Sequence, residues 1–140
     1  MKNASDFRWI VPRSLQQCLV AMLLIGLTNT VHAFCAGALI KEIQRIAQLP
    51  EIVTAAKASN SSKLGKSSIL ELDSRWIKQN GNVPEAEEIL ASKTSQLLLI
   101  AVNKQSYFTE AILTGNQGET VAMNMTTSDY WQGDEEKFTA

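Results

Sequence analysis

The 140-residue sequence predicts an α+β fold in which helices come first and an antiparallel hairpin comes last. Three observations carry this expectation. Apolar residues recur with a helical period between residues 36 and 103. After Ser106 the period drops to two. The four-residue stretch Gly115-Asn116-Gln117-Gly118 then joins two alternating runs as a turn. Two strands do not close a β-layer, so the hairpin reads as part of an incomplete antiparallel sheet.

A targeting signal precedes the fold. Lys2, Arg8 and Arg13 form its positive start, Cys18 to Leu27 its apolar run, and Val31-His32-Ala33 its peptidase site. The run is about half the length of a membrane-spanning helix, which needs about twenty apolar residues. Residues 1–33 are therefore expected to be a signal peptide cleaved after Ala33, and 34–140 one domain. Bulky Phe34 ahead of Cys35 argues against lipid attachment at that cysteine.

Thirteen of the fourteen acids and ten of the thirteen bases follow Ala33, so the mature chain is mildly acidic. It has no basic block to hold nucleic acid. Cys18 and His32, the single histidine, leave with the leader. Cys35 then has no intrachain partner, and paired-cysteine or histidine metal spacing is missing. With no glycine-rich phosphate loop and no nucleophile elbow either, no catalytic constellation, cofactor site or metal site is expected.

The helical stretch from 36 to 58 carries Leu39, Ile43 and Ile46 on one stripe, and Pro50 breaks it into two helices. Ser59 to Ser67 is a loop by composition. Ser68 and Glu71 have the spacing of a capping box, which predicts a helix start at Ser68. That helix should run to about Gln79, bury Ile69, Leu72 and Trp76, and stop at Asn80-Gly81. Pro84 opens a further helix with Glu85, Glu87 and Glu88 near its start. Ser92 to Ser95 interrupts it, and the apolar run Gln96 to Asn103 fits a buried helix or a buried strand, with helix preferred because hydroxyls sit where caps belong. The first strand places Tyr107, Thr109, Ala111 and Leu113 on one face and Phe108, Glu110, Ile112 and Thr114 on the other. Thr120 to Asn124 is the second strand, and Gly133-Asp134-Glu135-Glu136 is expected to begin a last helix.

Three pieces then suggest a family. They are Pro50-Glu51-Ile52-Val53 with Ala55-Ala56-Lys57 and Asn60; Leu72-Asp73-Ser74-Arg75-Trp76; and Thr127-Ser128-Asp129-Tyr130-Trp131-Gln132-Gly133-Asp134-Glu135 behind the hairpin. Together they resemble the periplasmic PDC/Cache sensor domains, which have N-terminal helices and a PAS-like antiparallel sheet. The resemblance covers nearly all of residues 34–140. It departs at the end, because the family continues with strands that close the sheet and its pocket.

The resemblance implies a non-enzymatic periplasmic module that binds a small organic ligand, of the carboxylate or amino-acid class. Its signalling partner would be a membrane-bound protein. The segment after the hairpin crosses the mouth of the family's pocket, which makes Asp129, Tyr130 and Trp131 ligand-binding candidates. Tyr107, a strand residue by its period, joins them. For the aromatics an equal alternative is a plug that closes the sheet edge. For the whole chain the alternative is a structural envelope protein or a truncated fragment of a sensor gene. Asn60-Ser61-Ser62 and Asn124-Met125-Thr126 match glycosylation sequons that have no meaning in a bacterial secretory setting.

Overall fold

The computed structural model describes residues 7–10, 28–62, 64–105 and 107–139, with side chains from residue 37 onward apart from those of residues 137 and 139. The leader's apolar run, 18–27, lies outside the described residues. The elements in order are strand β1 (Phe7–Ile10), helices α1 (Thr28–Ala47), α2 (Pro50–Ser61), α3 (Lys66–Lys78), α4 (Pro84–Ala91) and α5 (Lys93–Asn103), strands β2 (Glu110–Thr114) and β3 (Thr120–Met123), and the short helix α6 (Glu136–Thr139). The architecture is the expected one, α+β with helices leading into a hairpin. Among the described residues, no helix is long and apolar enough to cross a membrane.

Proline and hydroxyl punctuation sets most boundaries. Pro50 and Pro84 each occupy the first turn of a helix, where a missing amide costs nothing. Ser92 ends α4 and caps α5, its hydroxyl accepting the Ser95 amide at 3.1 Å. Helix α3 stops as expected: Asn80 and Gly81 both turn left-handed, with φ of 50° and 75°. A side chain at Gly81 would also collide with the Thr126 methyl, so glycine is required there twice over.

Several boundaries differ from expectation: α1 starts at Thr28 rather than residue 36, α2 runs to Ser61 rather than 58, and α5 starts at Lys93 rather than Gln96. Helix α3 starts at Lys66, not Ser68, with Gly65 as its cap and no capping side chain. The Gln117 side chain donates to the Leu64 carbonyl at 2.9 Å, which ties the residue before the Gly65 cap to the hairpin. The first strand starts at Glu110, not Tyr107. The Phe108 amide donates to Gln105 O at 3.2 Å, and this turn aims Phe108 into the same core as Ala111 and Leu113. Straight alternation would have sent it to the opposite face. The last helix begins at Glu136, after a turn formed by residues 133–135, so only the third of the expected acids lies in its first turn.

The hairpin is part of a three-stranded antiparallel sheet of order β1-β2-β3. Ile112 pairs with Met123 and Leu113 with Ala122, with an irregularity after Leu113. On the other edge of β2, Phe7 faces Leu113 and Ile10 faces Glu110. Thus β1 is built from residues that the leader reading removes, and a chain cut after Ala33 lacks this strand.

Two apolar cores flank the hairpin. The first gathers Ile46, Ile52, Leu98, Ala101, Val102, Phe108, Ala111, Leu113 and Ala122. The second gathers Ile69, Trp76, Val83, Ala86, Met123 and Tyr130. Successive strand residues point to opposite faces, so Ala122 serves one core and Met123 the other. The buried Ser95 hydroxyl, on α5, accepts the Met123 amide at 3.0 Å and ties the helical layer to β3.

Candidate functional site

The residues after the hairpin return along the free side of β3. The Thr120 amide and hydroxyl both donate to Tyr130 O, at 3.0 and 2.7 Å. Glu119 and Trp131 form an antiparallel bridge, and the Gln132 amide donates to Gly118 O at 2.7 Å. Residues 130–132 therefore occupy the edge of β3 as a short extra strand. Gly118, at φ 87°, lies against Gly133; a Cβ there would come within 2.7 Å of the Gly133 amide nitrogen. This glycine pair lets the two backbones approach.

Helix α3 anchors the segment from the other side. Asp73 Oδ1 accepts both the Tyr130 and the Trp131 amide at 2.9 Å. Trp76, fully buried, donates from Nε1 to Thr127 O at 2.9 Å. Asp73 and Trp76 stand three residues apart, so one helix face carries both anchors. The Trp76 and Tyr130 rings pack with centroids 5.6 Å apart and planes tilted by 38°.

The four candidate residues have different surroundings. Tyr130 is buried in the second core. Burial, with the charges of Glu119 and Glu85 adding, pushes its phenol from 10.0 up to about 12. The unfolded phenol ionises near 10, so this residue's share of stability is intact below that pH and drains as pH rises toward about 12. Trp131 is half-buried; its Nε1 donates to Gln117 O at 2.8 Å, and the Lys66 ammonium sits 3.3 Å from the ring centroid. Asp129 is half-buried, and its carboxylate and carbonyl both accept from the Gln132 side-chain amide. Tyr107 stands apart. It is 39 % exposed and meets Phe108 edge-on at 4.9 Å, in the first core's territory. The structure thus brings Asp129, Tyr130 and Trp131 together and leaves Tyr107 elsewhere.

Several residues at this site were not foreseen. Lys66 supplies a cation over the indole. Gln132 is 2 % exposed, and its buried Oε1 finds no hydrogen-bond partner among the described residues. Asp73 belongs to a stretch that the sequence singled out, and its three-residue spacing from Trp76 is the signal that could have found the anchor.

The hairpin tip is held as well. Ser59 Oγ donates to the buried Glu119 carboxylate, and Asn60 Oδ1 accepts the Asn116 amide at 2.7 Å. The Gln117 amide donates to Glu119 Oε2 at 3.2 Å. Among the described residues no cluster of His, Cys, Asp or Glu is arranged to hold a metal ion. No protein-family model, curated protein or solved structure matches the chain.

Proposed function

We propose that this chain is a non-enzymatic small-molecule-binding module of an extracytoplasmic sensing system, working in the periplasm after loss of residues 1–33 and passing its signal to a membrane-bound protein. The observation that supports it is a cation seated on an aromatic ring, with an acid two residues before that ring in the sequence. Lys66 lies over the Trp131 ring, and the Asp129 carboxylate sits two residues before that ring. A cation beside an indole suits a ligand carboxylate, and a neighbouring acid suits an ammonium group, which together fit the amino-acid class. Tyr107, in the first core's territory, has no part in this reading.

Calorimetry of the full chain against a panel of amino acids and small carboxylates tests the proposal. Trp131→Ala should weaken a detected ligand by about 1–3 kcal/mol, the order of a lost buried apolar contact. Lys66→Ala should weaken carboxylate ligands selectively. A panel that gives no heat, or a ligand indifferent to both substitutions in folded variants, rejects it.

A second reading has its own observation. The Tyr130 and Trp131 amides and the Trp131 indole nitrogen all bond within the chain. In that reading the segment is a structural closure of the β3 edge, and Trp131→Ala lowers stability with no ligand to lose.

A further inference from the structure

The two edges of the hairpin are closed by different means. On β3 the closing segment follows the strand in the chain, with Tyr130 accepting from Thr120 ten residues before it, and Asp73 and Trp76 hold it down. On β2 the closing element is β1, the four residues Phe7–Ile10. Those residues fall within the stretch expected to be cleaved. An unpaired edge strand exposes amides and carbonyls that need partners. Here the strand is also apolar: Ala111, Ile112 and Leu113 are buried, and no proline or lysine guards the run Glu110–Thr114.

We propose that the outer edge of β2 is a strand-exchange edge, covered in cis by Phe7–Ile10 and, once those residues are gone, by β2 of a second copy of this chain. The trigger rests on the export reading above; the edge itself does not. Two observations select a second copy. The β1 register, Phe7 to Leu113 through Ile10 to Glu110, shows that this edge accepts an antiparallel strand along its length. The sequence Glu110-Ala111-Ile112-Leu113-Thr114 is also complementary to its own reverse. Paired antiparallel about Ile112, it sets Glu110 against Thr114, Ala111 against Leu113 and Ile112 against itself. Small faces large, and no like charges are directly opposed. Such a contact is isologous and closes at two copies. The β3 edge, already occupied by 130–132, offers no competing route to longer assemblies.

The test uses the full chain with Arg8→Pro and Trp9→Pro together. Proline has no amide to donate and is disfavoured in a paired strand, so β1 should leave its place whether or not a peptidase ever acts. Sedimentation across a dilution series and hydrogen exchange of the β2 amides are read in parallel. The parental chain should be monomeric, with β2 amides protected at every dilution. The variant should form a dimer that dissociates on dilution, and β2 amides should lose protection by about tenfold or more as it does. A variant that stays monomeric while retaining the near-ultraviolet signal of Trp76 and Trp131 overturns the proposal. So does a variant monomer whose β2 amides remain protected, a parental chain that already pairs β2 in trans, or assembly into open-ended aggregates. If the double variant loses the tryptophan signal, Arg8→Pro alone, which keeps Trp9, is carried through the same two measurements and judged in the same way. N-terminal sequencing of the exported protein decides the leader reading separately; retention of Met1 would remove the trigger and leave the variant's behaviour to judge the edge.

Discussion

The two cores on either side of the hairpin are held differently. The first is aliphatic apart from Phe108 and joins α1, α2, α5 and both hairpin strands through apolar contact. The second is smaller and is stitched by hydrogen bonds: Asp73 to two amides, Trp76 to a carbonyl, Thr120 to Tyr130. Apolar burial is non-directional and tolerates small shifts in position. A buried hydrogen bond is directional, and a donor left without its acceptor costs the full desolvation penalty. The first core therefore shapes the domain, while the second fixes one segment of it, residues 127–132, in a single place.

The sharpest way to break this comparison is to truncate one large residue in each core. Trp76→Ala removes a fully buried ring and strands Thr127 O, and should cost about 3–5 kcal/mol. Leu98→Ala, also at a fully buried position, leaves a cavity alone and should fall within about 2–5 kcal/mol, below the tryptophan. Urea denaturation measures both. A tryptophan variant less harmed than the leucine variant would mean that the second core contributes little beyond packing.

A smaller effect isolates the polar stitching. Asp73→Ala leaves the amides of Tyr130 and Trp131 without their acceptor and should cost about 1–3 kcal/mol. Hydrogen exchange should quicken at those two amides and stay unchanged along α5. Equal quickening in both places would show the segment and the first core to be one cooperative unit. Asp73→Asn keeps an acceptor oxygen and should lose less.

The smallest effect concerns the link between the cores. Ser92→Ala removes the cap of α5 and should cost about 1 kcal/mol. It also removes the Ser95 hydroxyl's neighbour at 3.1 Å, and Ser95 is the group that holds the Met123 amide. A loss confined to α5, with the Met123 amide still protected, would show that Ser95 orients itself without that cap.

Periodicity made the first core legible. Leu39, Ile43, Ile46, Pro50 and the turn at Gly115–Gly118 were all visible as local patterns, because a helix or hairpin must repeat its apolar face at its own period; the hydroxyl-rich break was visible too, though the helix it caps starts at Lys93 rather than Gln96. The second core was legible in part: Ile69, Leu72 and Trp76 shared one face, but nothing local paired Asp73 with amides 57 and 58 residues away. The start of α3 was missed for the same reason. Its cap chemistry at Ser68 was present in the sequence but is not used, and the residues just before the helix are held instead by a bond from Gln117 to Leu64 O, 53 residues apart. Strand β1 could not be anticipated, because its residues had been assigned to the leader. Asp129, Tyr130 and Trp131 were singled out together by the resemblance and by the conspicuous pair of adjacent aromatics, and their anchoring by helix α3 was not legible. Lys66 was not, since a single lysine in a polar loop carries no signal until the ring beneath it is placed.

The hairpin tip carries a practical consequence. A four-residue turn between two strands is ordinarily the first place a chain is lengthened, because loop tips accept insertions that packed elements refuse. This tip is fastened to the end of α2 through Ser59 and Asn60, to Leu64 through Gln117, and to the indole of Trp131 through the Gln117 carbonyl. A tag or reporter spliced between Asn116 and Gln117 would detach all of these at once and reach the buried Glu119 beneath them. Any reengineering of this chain is better directed to the exposed outer surface of α3, around Leu70 and Ile77, where the side chains already face solvent.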